Sequence, residues 1–221
     1  MRFDTHQLVL NYHLILSGLK ITCLISLISL GFGVVLGLVL CLGKLRDKGI
    51  IYRVCCGIID FFRTIPEVVL IFWVYSCLPL LLSFRISAEA SGVLALSLFA
   101  AAYLAEIFRA GVLSVPRGQV EASLSLGIPE FYIWSRIIFP PALRNMMPAI
   151  VNFLTELIKA TSLLSAIGIA EMSYQATILG NKTFAYVEFL SAIAVLYFLI
   201  IFPLSLSVRT MEKRRLASAG N

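Results

Sequence analysis

The sequence predicts an all-α, polytopic membrane protein, and its composition and long apolar runs both support that fold class. Of its 221 residues, 60% are hydrophobic and only 14% are charged, with a mean hydropathy of +0.95. A soluble domain of this size would need far more polar residues for its surface. A membrane-spanning helix needs about 20 mostly apolar residues, and several segments meet this requirement. The segments lack the alternation of a membrane β-barrel, so the spans are predicted to be helices.

We predict that residues 1–221 form a single domain with five membrane-spanning helices. The first apolar run is too long for a signal peptide and lacks both a basic leader and a cleavage-like end. We therefore expect it to be a retained span. The predicted spans cover residues 14–42, 58–82, 90–108, 146–170 and 189–208.

Basic residues cluster in alternate connections, which predicts the orientation of the chain in the membrane. The first loop, the third loop and the segment after the last span carry most of them, and such loops face the cytoplasm. The N-terminus is then outside and the C-terminus in the cytoplasm. The net charge of +6 reports this orientation and predicts no nucleic-acid partner. The residues are Lys44, Arg46, Lys48, Arg53, Arg109, Arg117, Arg136, Arg144, Arg209, Lys213, Arg214 and Arg215.

The five cysteines show no metal-binding pattern. None forms a Cys-x-x-Cys pair, and the two histidines, His6 and His13, are distant from most of them. Cysteines in apolar runs pack as small hydrophobic residues, so we predict no metal site. In the first span, Gly33 and Gly37 are four residues apart, a spacing that lets two helix backbones approach closely.

Two groups of charged residues are predicted near the inner ends of spans, where charge is least costly. Asp60, Arg63 and Glu67 have the spacing of one helix face, which favours a self-neutralising cluster over a substrate contact. Pro66 lies among them and predicts a kink. Glu106 and Arg109 are predicted to form an ion pair beside the third loop.

The fourth predicted span carries a polar stripe at helical spacing. Such a stripe is too costly to face lipid, so it faces protein or water. Two interpretations remain: a Glu156–Lys159 pair buried between helices, or a stripe that lines the path of a polar solute. We favour the second for the stripe as a whole, but not for any one residue as a direct ligand. The members are Asn152, Thr155, Glu156, Lys159 and Ser162.

The loop over residues 109–144 is long and organised. Pro116 and Gly127 predict the start and the end of a short helix in water, which could act as a rigid lever for a soluble partner or be a surface helix without one. Residues 131–139 are aromatic and amphipathic, and are expected at the inner interface until Pro140 and Pro141 end them. The residues predicted to couple to a partner are Gly118, Gln119, Glu121, Ala122, Ser123, Leu126 and Gly127.

Several stretches of the chain resemble permease subunits of the polar amino-acid uptake class of ABC importers, the histidine/glutamine type. The similarity covers nearly the whole chain. Four departures from the family pattern are Thr64, Ser123, Pro141 and Ala160, and the last leaves the charge of the substrate open. The matching stretches are residues 62–66, 101–111, 115–127, 140–144 and 157–163, together with Pro148 and Asn152.

The resemblance implies a type I ABC importer permease and its partners. These are a second permease subunit, identical or homologous, two ATPase subunits, an extracytoplasmic binding protein and an amino-acid substrate in the lipid bilayer of the cell inner membrane. Glu121 and Gly127 are the motif positions carried over for docking of the ATPase. ATP and Mg are expected on the partner subunits, with no cofactor bound by this chain.

Two other functions compete with this one. An ion-coupled secondary transporter is disfavoured because five spans do not divide into two equal repeats. A non-transporting membrane scaffold is weakly disfavoured by the polar stripe. The chain has no Gly-rich phosphate-binding loop and no arrangement of residues placed for catalysis, so we do not expect it to be an enzyme.

Overall fold

The computed structural model describes residues 5–46 and 48–219, and every regular element in them is helical. We number eight helices in chain order. They are α1 (Thr5–Lys44), α2 (Ile50–Thr64), α3 (Glu67–Leu82), α4 (Ala88–Leu113), α5 (Arg117–Ser125), α6 (Glu130–Ile167), α7 (Met172–Thr183) and α8 (Tyr186–Ala219).

Among the described residues, four helices are long and apolar enough to cross a membrane: α1, α4, α6 and α8. Helices α2 and α3 together would make the fifth span, but they are bent by 105° at the break between them. The all-α, five-span prediction is therefore confirmed, with one span broken.

The bend between α2 and α3 arises at Ile65 and Pro66, whose backbones are extended. Proline lacks an N–H and disfavours helical backbone in the residue before it, so the helical hydrogen bonds stop here. The kink predicted at Pro66 is confirmed. The predicted second span, residues 58–82, is thus present as two helices separated by a bend of 105°.

Helix α6 begins 16 residues earlier than the predicted fourth span. It contains a π-helical segment, Ile133–Ile138, and a regular α-helix, Phe139–Ala160, and it ends in a 3₁₀ segment, Thr161–Ile167. The prediction that Pro140 and Pro141 end the preceding segment is wrong. They occupy the first turn of the regular α-helix, where proline fits well because its missing N–H is least needed there.

Helix α4 forms the centre of the molecule and is the most buried of the four long helices. It packs parallel to α1: a Cβ placed on Gly33 would lie 2.5 Å from the Ala100 Cβ, and one on Gly37 would lie 3.0 Å from the Ala101 carbonyl oxygen. The packing face predicted at these two glycines is confirmed.

Helix α6 packs against α4 in the opposite direction. Gly111, near the end of α4, lies against Met146, whereas Gly92, near its start, lies against Leu164. The end of α4 that leads to α5 is therefore also the end at which α6 begins.

Helix α7 was not predicted from the sequence. It packs against α1 and α8 in a second apolar cluster that contains Ile15, Met172 and Phe189. Glu171 precedes it, is completely buried, and accepts a hydrogen bond from the Tyr174 N–H with its side chain. This acidic N-cap satisfies a helix donor that would otherwise be unpaired.

Candidate functional site: the coupling helix and a polar cavity

Helix α5 is a short helix between α4 and α6, with a proline before its start and a glycine after its end. Pro116 lies just before its first residue, Arg117. At its end Gly127 has φ +69°, its N–H donates to the Leu124 carbonyl (3.0 Å), and the Ile128 N–H donates to the Ser123 carbonyl (3.1 Å). This pair of bonds is a Schellman motif, for which glycine is the favoured residue. The predicted start and end of the helix are both present.

One face of α5 rests on the protein and the other is exposed. Val120 and Ile128 pack against the main core, and Ser123 is buried with its hydroxyl donating to the Gln119 carbonyl (2.6 Å). The serine at this position therefore satisfies its own hydroxyl within the helix. The other predicted coupling residues are exposed: Gly118, Gln119, Glu121, Ala122, Leu126 and Gly127.

A charged cluster joins α1 to α4 near the α5 end of the molecule. Glu106 accepts from Arg109 at 3.0 Å, as the sequence predicted, and also from Lys44 at 2.6 Å. Lys44 was not predicted as a partner, because the sequence does not reveal that α1 and α4 are packed against each other. Two cations on one carboxylate fix the end of α1 to α4 and leave a net positive charge.

The predicted cluster of Asp60, Arg63 and Glu67 does not form, since these residues make no ion pair with one another in the part of the chain that the structure describes. The break at Pro66 places Glu67 on α3 and the other two on α2, so helical spacing does not apply across it. The Arg63 guanidinium carbon instead lies 5.3 Å from the ring centroid of Tyr103, a cation–π contact.

A cavity of about 440 Å³ lies between α2, α4 and α6. Its polar lining comes from Arg63, Tyr103, Glu106, Ser114 and Asn145. Asn145 Nδ2 donates to Ser114 Oγ at 2.7 Å, which joins α6 to the residue that follows α4. Small-molecule sites occupy roughly 300–1,000 Å³, so this cavity is of a size to admit a solute.

The predicted polar stripe of α6 divides into two parts. Asn152, Glu156 and Lys159 are exposed, and Lys159 donates to Glu156 at 2.7 Å. Thr155 is buried, and its hydroxyl donates to the Asn152 carbonyl at 2.7 Å, so its inclusion in a solute-facing stripe is wrong. A residue three positions from Asn152 is rotated about 60° around the helix, which turns Thr155 toward the protein.

Ser162 also differs from the exposed stripe residues. It lies beyond the regular α-helix, in the 3₁₀ segment, and its hydroxyl donates to the Lys159 carbonyl at 2.7 Å. The Glu156–Lys159 pair is half-exposed on the surface of this chain. Water or a second chain remains the predicted neighbour of the stripe.

Fold and site together define a membrane permease with a capped helix presented to a partner. Residues 29–216 match the family described as the binding-protein-dependent transport system inner membrane component. The chain belongs to this family, and it is a multi-pass permease of the ABC import class.

Two curated relatives match almost the full length of the chain. The arginine transport system permease protein ArtQ of Bacillus subtilis is 34% identical over 218 residues, covering 97% of this chain and 98% of the relative. The glutamine transport system permease protein GlnP of Escherichia coli is 34% identical over 215 residues, with the same coverage of both chains.

Solved structures agree with the fold. A crystal structure of an amino acid ABC transporter with histidines matches with a TM-score of 0.89 and 32% identity, covering 97% of this chain and 100% of that one. An inward-facing structure of the MetNI methionine ABC transporter matches with a TM-score of 0.72 and 24% identity, covering 90% and 97% of the two chains. The second match supports the fold alone.

Proposed function

We propose that this chain is the permease subunit of an ATP-driven importer of a polar amino acid. The observation that carries this proposal is the exposed helix α5, bounded by Pro116 and Gly127 and held between two long helices in a chain of the permease family. The named relatives support the substrate class, since one is an arginine permease and the other a glutamine permease.

The proposed assembly contains two permease subunits, identical or homologous, two ATPase subunits and an extracytoplasmic binding protein. The ATPases bind ATP and Mg and dock on α5 from the cytoplasm, so this chain is not itself an enzyme. The basic residues near α5 support a cytoplasmic position for it, with the N-terminus outside and the C-terminus in the cytoplasm. The membrane is the cell inner membrane.

Movement of the ATPases is proposed to push on α5 and to tilt the helices on either side of it. Because α5 begins after Pro116 and is closed by the Schellman motif at Gly127, it is expected to move as a rigid body. The exposed stripe of Asn152, Glu156 and Lys159 is proposed to line the path between the two permeases. Glu156 and Lys159 offer one charge of each sign, which suits the ammonium and carboxylate of an amino acid.

Reconstitution tests this function directly. The chain is placed in proteoliposomes with its ATPase and binding protein, and uptake of L-arginine and L-glutamine is measured together with ATP hydrolysis. We expect uptake that needs ATP and substrate-stimulated hydrolysis. Uptake driven by a proton or sodium gradient without the ATPase would support a secondary transporter, and no flux at all would support a scaffold.

A further inference from the structure

Arg63 lines the cavity and has no anionic partner among the described residues. It makes no ion pair within the described residues, and its guanidinium lies over the Tyr103 ring. Tyr103 precedes Leu113, the last residue of α4, by ten residues, or about 15 Å of helix. Arg63 therefore contacts α4 about 15 Å from the α5 end of that helix, and not at the inner end of a span as the sequence predicted. Ionisable groups at such depths mark solute pathways.

The charges around the cavity favour an anion beside Arg63. Glu106 is the acidic residue of its lining, and this carboxylate is already paired with Lys44 and Arg109. The two cations exceed its charge, so Glu106 does not neutralise Arg63. A guanidinium on the wall of a cavity binds a carboxylate well, because its planar donors match the two carboxylate oxygens.

Asn145 supplies an acceptor to the same cavity. Its Nδ2 donates to Ser114, and no described residue donates to its Oδ1, which leaves that oxygen available for an ammonium group.

The cavity also continues the exposed face of α6. Asn145 and Ala149 line it, and Asn152, Glu156 and Lys159 follow them at steps of three and four residues, which keeps all five on one side of the helix.

We propose that the cavity is a carboxylate-binding station on the cytoplasmic side of the stripe. Arg63 binds the α-carboxylate of the transported amino acid, and Asn145 Oδ1 accepts a hydrogen bond from its ammonium group. The proposal rests on the function proposed above. It adds a second binding position for the amino acid to the one along the exposed stripe of α6. Arg63 thereby selects for a free carboxylate on every substrate, whatever the charge of the substrate side chain.

Competition binding with carboxylate and amide probes tests the station. The purified complex of permease and ATPase, without the binding protein, is tested with radiolabelled L-arginine and L-glutamine against L-argininamide and L-glutaminamide. We expect the free acids to bind about tenfold or more tightly than the amides, the factor that one hydrogen bond to a charged group contributes. Arg63→Gln should abolish this preference, and Arg63→Lys, which keeps the charge without the planar donors, should restore only part of it.

Arg53→Gln is the matched control, since Arg53 lies on the same helix, is exposed and is not part of the cavity lining. It should keep the preference for the free acids. Ala149→Asp gives a second route if Arg63→Gln does not assemble with the ATPase, because a carboxylate in the cavity would occupy Arg63 and remove the preference as well.

Three results would overturn the station: an undiminished acid preference in Arg63→Gln or Ala149→Asp, an equal loss in Arg53→Gln, or no binding to a wild-type complex that takes up amino acids. A wild-type complex without ATP-driven uptake would contradict the proposed function instead. The two failures are therefore distinguishable.

Discussion

At the scale of single residues, Glu171 is a carboxyl group that the fold buries completely. It lies between the fourth and fifth spans, where its oxygens accept hydrogen bonds from the Tyr174 N–H (2.8 Å) and the Tyr197 hydroxyl (3.3 Å). Burial raises the pKa of this carboxyl above its ordinary value of 4.5, and the hydrogen bonds offset only part of the rise. One side chain therefore joins the start of α7 to α8.

The raised pKa of Glu171 predicts how stability depends on pH. Between the ordinary and the raised pKa, the folded state binds more protons than the unfolded state, so stability falls as pH rises through that window. Glu171→Gln keeps an acceptor for Tyr174 and cannot ionise. We expect its unfolding temperature in detergent to decline less over the window than that of the wild type. Glu130→Gln, at an exposed acid, should keep the wild-type profile, and an unchanged decline in Glu171→Gln would contradict the assignment.

Gly33 predicts a steric effect between α1 and α4. A Cβ on Gly33 would lie 2.5 Å from the Ala100 Cβ, so Gly33→Ala forces the two helices apart. Overpacking of this kind costs about 1–3 kcal/mol, and thermal unfolding in detergent should show the loss. Gly31 on the same helix has no neighbour within 4 Å of a built Cβ, and Gly31→Ala should be neutral or slightly stabilising. Equal effects of the two variants would refute this packing.

At the scale of elements, α5 could be predicted closely from the sequence because local chemistry decides its ends. Pro116 and Gly127 act through their own backbones, whatever lies nearby. The ion pair of Glu106 with Arg109 was also predictable, since both residues lie on one helix. The long apolar runs likewise predicted α1, α4, α6 and α8, although their ends differ from the predicted ones.

What the sequence could not predict depends on contacts between elements. The size of the bend at Pro66 depends on how α2 and α3 pack, and it separates Arg63 from Glu67. Lys44 meets Glu106 only because α1 and α4 pack against each other, and the sequence does not show which helices are neighbours. The helical spacing of Thr155 predicted that it belongs to the polar stripe. The packing of α4 against α6 determines which side of α6 is buried, and the sequence does not show it.

The coupling role of α5 predicts a charge-reversal phenotype. Glu121 is exposed on the outer face of the helix, so Glu121→Lys should leave the fold intact while weakening contact with the ATPase. We expect lower substrate-stimulated ATP hydrolysis and uptake, with unchanged membrane insertion. Glu130→Lys, an exposed acid of the same loop outside α5, should have the smaller effect. A full transport rate in Glu121→Lys would count against docking at this residue.

At the scale of the whole molecule, burial is concentrated in α4, and α1 and α8 expose most of their apolar side chains. A chain in water would not tolerate so much exposed apolar surface. These two helices therefore face lipid or other subunits, while α4 and α6 hold the cavity and the ends of the loop that carries α5. The polar cavity is thus set beside an apolar core and inside an outer layer of exposed apolar side chains.

Labelling of single cysteines tests the orientation of the whole molecule. In a variant whose five native cysteines are replaced, Ser125→Cys on α5 and Lys182→Cys on α7 both introduce exposed thiols. We expect an impermeant maleimide added to intact cells to label position 182 and to reach position 125 only after the cells are opened. The reverse pattern would invert the topology and place α5 out of reach of an ATPase.

The hydrogen bond between Asn145 and Ser114 has a mechanical consequence. It joins residues 31 positions apart in the sequence and links the end of α4, at Ser114, to Asn145 in the regular α-helical part of α6. This hydrogen bond resists separation of α4 and α6, because separation would break the 2.7 Å contact between Asn145 Nδ2 and Ser114 Oγ. We therefore expect a load on α5 to tilt α4 and α6 together, with the larger displacement at the ends of these helices away from α5.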